Sequence, residues 1–177
     1  MLHGVSVGEI IALENLTKKI KETFPDYKIV ITTGTKTGQD IAHKKYAEIA
    51  DFITYFPFDI PFAVNSFLNK VRPSVVLIAE TELWPNFAYY CKKKNIPLFV
   101  INGRISDTTF NAYKRLKFFF KHILSNYTGL FTQSIEDRDK LIAIGANPQT
   151  TEFMGNLKFD IKSSTFQLTS EKAKTSL

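Results

Sequence analysis

Residues Val75-Val76-Leu77-Ile78-Ala79-Glu80-Thr81-Glu82-Leu83-Trp84-Pro85-Asn86 pass from an unbroken apolar run into a polar loop and then to a proline. Five successive apolar residues without polar alternation, too short for a helix, read as a strand buried on both faces. Pro85 suits the first turn of a helix, and the pattern carries that helix through Lys94. A strand buried on both sides and followed at once by a helix belongs to a parallel sheet. The unit recurs on either side of this stretch. Short apolar runs lie within Lys28–Thr32, Asp51–Phe56, Leu98–Ile101, Leu130–Phe131 and Glu152–Met154.

Helix-period runs separate them. Ile10, Leu13, Leu16, Ile20 and Phe24 give one apolar face to a helix ended by Pro25. Thr37 is expected to cap a helix through Ala50, and Asp59 one through Val71. Ser106 or Asp107 opens a long helix to Leu124, and Ser134 one to Ile144 that Gly145 stops. The alternation predicts an α/β, doubly wound, Rossmann-like parallel sheet. Only two residues precede His3, so the first strand is expected to be nearly absent or truncated. After Asp160 the run becomes Ser/Thr/Lys-rich and loses its period. Residues 1–160 therefore read as one domain and 161–177 as a linker or tail.

Composition narrows the classes. The 177 residues carry 23 Lys and Arg against 17 Asp and Glu, a formal charge of +6 that invites an anionic partner. Hydrophobic residues make up 44%, enough for a core, and sixteen Phe are an unusual number. No apolar run approaches the ~20 residues of a membrane span, and no charged-then-apolar leader opens the chain. Cys91 is the single cysteine, so no internal disulfide exists and a reducing compartment is the simpler reading. His3, His43, His122 and Cys91 have no metal-ligand spacing, and Ser6 has no evident histidine partner. The turn Gly34–Gly38 lacks the spacing of a phosphate loop. Lys92, Lys93 and Lys94 read as a solvated helix end.

In an open α/β sheet, ligands collect beyond the carboxyl ends of the strands. Ser6, Gly8 and Glu9 stand at the first such turn, with Glu9 in the first helical turn, placed either as a general base or as an ordinary helix-end carboxylate. Glu80, Thr81 and Glu82 follow the Val75–Ala79 strand, ahead of the only tryptophan. If both acids point one way and are desolvated, one of them titrates high; the plain alternative is a solvated helix cap. Gly103, Arg104 and Ser106 follow Leu98–Ile101, and Arg104 offers a planar fork to phosphate or carboxylate. Asn156 and Lys158 follow the last strand. On the predicted helix over 107–124, Lys114, Arg115, Lys117, Phe118 and Lys121 mix cations with aromatics, as suits an anionic membrane or a phosphorylated glycolipid. Phe62 and Phe67 are expected in the core.

Taken together, HGVSVGE (His3–Glu9), FPFDIPFAVNSFL (Phe56–Leu68), ETELWPN (Glu80–Asn86), NGRIS (Asn102–Ser106) and GNLKFD (Gly155–Asp160) resemble the amino-terminal domain of the 3-deoxy-D-manno-octulosonic acid (Kdo) transferases of lipid A assembly. The resemblance implies the first half of a GT-B glycosyltransferase. It implies inverting, metal-independent transfer of Kdo from CMP-Kdo to a hydroxyl of a lipid A precursor, with no cofactor. By position it makes Glu9 the general base and Glu82, with Glu80 as the alternative, the second required acid. Ser6, Gly8, Thr81, Arg104, Ser106, Asn156 and Lys158 fall in or beside the family motifs. It also places the full-length family at the cytoplasmic face of the bacterial inner membrane. The membrane-anchoring helix and the carboxy-terminal donor domain usual in that family are not in this sequence, and without the donor domain this stretch is expected not to complete the reaction. Two other readings remain open from the residues: another GT-B sugar-nucleotide enzyme, such as an epimerase-like relative, and a non-catalytic basic domain for an anionic membrane or nucleic acid. Nucleic-acid binding is not expected from the resemblance. An inert fragment is the third possibility.

Overall fold

The computed structural model describes residues 1–157. Each short apolar run becomes a strand: β1 (Leu2–Gly4), β2 (Val30–Thr33), β3 (Phe52–Tyr55), β4 (Val76–Ala79), β5 (Leu98–Gly103), β6 (Gly129–Thr132) and β7 (Thr151–Phe153). All pair in parallel, in one sheet of order β3-β2-β1-β4-β5-β6-β7. The order reverses between β1 and β4, because the chain winds outward one way to β3 and then back past β1 the other way. This is the doubly wound, Rossmann-like fold expected.

The helices are α1 (Val7–Ala12), α2 (Glu14–Thr23), α3 (Lys36–Tyr46), α4 (Pro61–Val71), α5 (Pro85–Lys93), α6 (Asp107–Arg115), α7 (Lys117–Leu124) and α8 (Ile135–Ala143). Two apolar cores lie on opposite sides of the sheet. Leu2, Ile10, Leu13, Ile31, Ala42 and Tyr46 fill the one beneath α1–α3. Val64, Leu68, Phe87, Ile123, Leu141 and Ile144 fill the other, beneath α4, α5, α7 and α8.

Several local expectations change. The first strand is present: β1 is three residues long, yet Leu2, His3 and Gly4 are all buried and bond to β2 on one side and β4 on the other. The first helix breaks at Leu13, whose carbonyl accepts from both the Thr17 amide and the Thr17 hydroxyl, a back-bond that bends helices. Thr35, not Thr37, caps α3, accepting from the Gly38 amide at 3.0 Å from an extended backbone. Asp59 does not cap α4, which begins at Pro61 after an uncapped Ile60. The long helix predicted over 107–124 splits at Leu116, where the amide turns back to Tyr113. The split lets Phe120 stack on Tyr113 with ring centroids 3.7 Å apart, while Phe118 is 92% exposed. Phe67 packs against the core as expected, but Phe62 does not: it is 82% exposed. No helix among the described residues is long and apolar enough to cross a membrane.

Candidate functional site

In folds of this kind the reversal of strand order, here between β1 and β4, sets the following loops apart at the carboxyl edge, where a crevice is expected. Glu9 comes to it from the turn after β1, and Glu82 from the turn after β4. Gly4 makes the approach of α1 possible, since a Cβ there would stand 3.1 Å from both Glu9 Cβ and Ile10 Cδ1. Ser6 caps α1, and its hydroxyl donates to Glu9 Oε1 at 2.6 Å. The Val5 amide donates to Glu9 Oε2 at 2.7 Å and the Ser6 amide to Oε1 at 3.3 Å. Glu9 is thus a capping-box residue, buried, with three of a carboxylate's roughly four acceptor positions filled. The helix-end role and the site position are held by the same side chain. Gly8 is exposed, and a Cβ there would meet nothing nearer than Ser6 Oγ at 3.8 Å.

On the facing loop, Glu80 adopts the left-handed region with φ 58°, so the stretch is a turn and not the extended segment that would align Glu80 with Glu82. The elevated acid is Glu82. Burial pushes its carboxyl above the ordinary range, and the charges of Glu9 and then Glu80 push it the same way. Three carboxylates therefore share one electrostatic neighbourhood, and the two singled out as catalytic feel each other across the switch point. Thr81 ties this loop to the next: its hydroxyl accepts from the Arg104 amide at 2.8 Å. The Arg104 side chain is exposed, and Ser106 serves as the cap of α6, accepting from the Thr109 amide at 3.1 Å. Asn156 donates to Gln133 Oε1 at 3.0 Å, beside a groove of about 540 Å³ that Leu16, Ile101, Asn102 and Phe131 also line. Lys158 lies outside the described residues. Among those described, no three His, Cys, Asp or Glu side chains gather as a metal-ligand set.

Four further residues shape the crevice without having been singled out as site residues. Tyr113 is close enough to Glu82 for that charge to raise its phenol, after burial. Tyr127 accepts from the Trp84 amide at 3.2 Å and fixes the loop's far end. Asn102, left-handed at φ 55° and buried, accepts from the Leu157 amide at 3.1 Å. The fourth is Asp59. Its carboxylate accepts from the Asn86 amide at 3.1 Å and the Phe87 amide at 2.7 Å, so it caps α5 from a different loop. Its carbonyl takes the Asn86 side-chain amide at 2.6 Å. The motif signal was available, because FPFD and WPN both stood out, but nothing in spacing joins them. Asp59→Ala strands two amides at a buried helix start, and a loss of about 2 kcal/mol in urea unfolding is expected, with Asp59→Asn, which keeps an acceptor for only one of the two amides, recovering about half of it. A change under about 0.5 kcal/mol would remove Asp59 from this role.

Residues 1–161 match the family model of 3-deoxy-D-manno-octulosonic-acid transferase (kdotransferase). A bifunctional glycosyltransferase/methyltransferase of Fusobacterium nucleatum is 38% identical over 161 residues, covering 90% of this chain and 25% of that protein. The 3-deoxy-D-manno-octulosonic acid transferases of Haemophilus influenzae (29% identical, covering 90% of this chain and 37% of the relative) and Chlamydia muridarum (31%, covering 92% and 38%) are also similar. The chain thus spans between a quarter and two fifths of the length of these relatives. Among solved structures, UDP-GlcNAc 2-epimerase of Neisseria meningitidis shares the fold with a TM-score of 0.65 at 12% identity, covering 98% of this chain and 52% of its own. UDP-N-acetylglucosamine 2-epimerase of Rickettsia bellii does so at 0.61 and 17%, covering 94% and 46%.

Proposed function

The chain belongs to the 3-deoxy-D-manno-octulosonic acid (Kdo) transferase family, and from that premise we propose that its switch-point crevice receives the acceptor hydroxyl in transfer of Kdo from CMP-Kdo to a lipid A precursor. The observation that supports this most is the pairing of Glu9 with Glu82 across the switch point, close enough for one charge to raise the other carboxyl. Glu9 keeps one acceptor position beyond its three internal bonds, enough to take the proton of an incoming hydroxyl. As that oxygen bonds to the anomeric carbon of Kdo, the bond from that carbon to the CMP phosphate oxygen breaks, and CMP leaves with the electron pair. Attack from the face opposite CMP inverts the anomeric centre, with no metal ion in the step. Glu82, facing Glu9 across the switch point, hydrogen-bonds the acceptor and sets its angle. Residues 1–160 act as the acceptor-side domain, and the donor half of the family completes the site.

The acceptor is a membrane lipid, and the outer surface of this domain suits one. Phe58 and Phe62 at the start of α4 are 84% and 82% exposed. On the same side of the sheet, across α5, Leu116, Phe118 and Phe119 are exposed among Lys114, Arg115, Lys117 and Lys121. Exposed rings beside cations fit the interface of an anionic leaflet, here the cytoplasmic face of the inner membrane. Each cation near such a surface is worth ~1 kcal/mol, so Lys117→Gln with Lys121→Gln is expected to weaken binding to phosphatidylglycerol vesicles by about 30-fold. Vesicle affinity unchanged by that double variant would set the patch aside.

The reading is tested by joining this chain to a donor domain of the family and supplying CMP-Kdo with lipid A precursor. Kdo-bearing lipid is the expected product. Epimerisation of a UDP-sugar, without Kdo transfer, would favour the epimerase-like alternative instead.

A further inference from the structure

Two buried side-chain polar atoms among the described residues have no hydrogen-bond partner, His3 Nε2 and Trp84 Nε1, and their rings stand edge to face with centroids 6.2 Å apart. Their needs are opposite. His3 Nδ1 lies 3.1 Å from the Thr32 carbonyl oxygen, which can only accept, so Nδ1 carries the proton. The Thr32 hydroxyl, also 3.1 Å from Nδ1, donates onward to the Leu2 carbonyl and is free to accept here too. Nε2 is therefore a bare lone pair in a side chain of zero exposure, while the indole Nε1–H can only donate. Leaving both unmet costs about 1–3 kcal/mol for each. Phe56 packs against both rings, stacked on His3 at 4.0 Å and tilted against Trp84 at 5.3 Å. A single group that met both needs would be small and would have to both accept and donate.

We propose that a single buried water accepts from Trp84 Nε1–H and donates to His3 Nε2, and that through it His3 is a positioning residue for the loop carrying Glu82. The water spans the switch point. His3 lies in β1, six residues before Glu9, and Trp84 closes the loop after β4, two residues beyond Glu82. With Tyr127 holding the Trp84 backbone and the water holding its ring, the loop is fixed at its helix end from two directions. The water stands independently of the functional reading; the positioning role rests on Glu82 having the part given above.

Trp84 is the only tryptophan, so one indole resonance reports on the site. In the ¹⁵N-labelled 177-residue chain, the indole proton is expected to show a direct cross-relaxation peak to water, and His3 the Nδ1–H tautomer. His3→Phe should speed exchange of that indole proton about tenfold, the loss of one hydrogen bond, and His3→Gln, which offers an oxygen near the place of Nε2, should keep it slow. An indole proton with no contact to water, or His3 protonated at Nε2 instead, overturns the bridge whatever the variants do. In the chain joined to a donor domain, His3→Phe should lower kcat with little change in KM, and His3→Gln should restore it. Unaltered kcat in His3→Phe alongside an observed water would keep the bridge and reject the positioning role.

Discussion

Glu9→Gln, in this chain joined to a donor domain of the family, is expected to lower kcat for Kdo transfer by about 10³-fold, in the middle of the range for loss of a general base. KM should hold, because the amide occupies the same place and only the capacity to take a proton is removed. The capping box makes the experiment stringent. A glutamine oxygen can still accept from Ser6, but its nitrogen cannot accept from the Val5 amide, so folding is expected to lose about 1 kcal/mol and no more. A variant with kcat near the wild-type value removes Glu9 from the base role. One that unfolds shows only that the cap dominates, and Ser6→Ala, which weakens the cap without touching the carboxylate, separates the two effects.

The second large effect is on stability in acid. Burial lowers the His3 imidazole from 6.5 to about 4, against a smaller upward pull from the Thr32 carbonyl. The unfolded chain therefore binds a proton at His3 at pH values where the folded chain does not. The stability this residue contributes is fully present above about 6.5 and is lost as pH falls through that value toward 4. The gap corresponds to roughly 3 kcal/mol. Glu82 works in the opposite sense, since its raised carboxyl lets the folded state hold a proton that the unfolded state releases. The measurement is the difference in urea unfolding free energy between pH 7 and pH 4 for wild type and His3→Gln. The variant should show the shallower fall. Equal slopes would mean that the imidazole is not desolvated as the structure has it.

The strands were legible because burial on both faces writes them as unbroken apolar runs; Val76–Ala79 and Leu98–Gly103 lie where those runs lie. Pro85 and Ser134 mark their helices for similarly local reasons. What sequence could not show depends on partners distant along the chain. Asp59 looks like the cap of the helix just after it, and only the fold reveals that its acceptors face amides 27 and 28 positions on. Thr35 and Thr37 have equal chemistry, and the choice falls to the one whose backbone is already extended. Phe62 has the spacing of a core residue but sits at the exposed start of α4. Glu9 and Glu82 could be nominated separately from their loops, but their proximity is a property of the reversal between β1 and β4. Nor does the sequence hint that the His3 Nε2 and the Trp84 indole N–H would both be buried without a hydrogen-bond partner.

The three-residue central strand has a kinetic corollary. Leu2 aligns with Ile31 and with Leu77, partners 29 and 75 positions away, and nothing closer along the polypeptide holds it in register. During synthesis, the opening segment has no second neighbour until Leu77 and Ile78 have left the ribosome, and the long chain closure this demands slows the step that seats it. The loops after β1 and β4 that carry Glu9 and Glu82 are thus brought together late, only once both strands are paired.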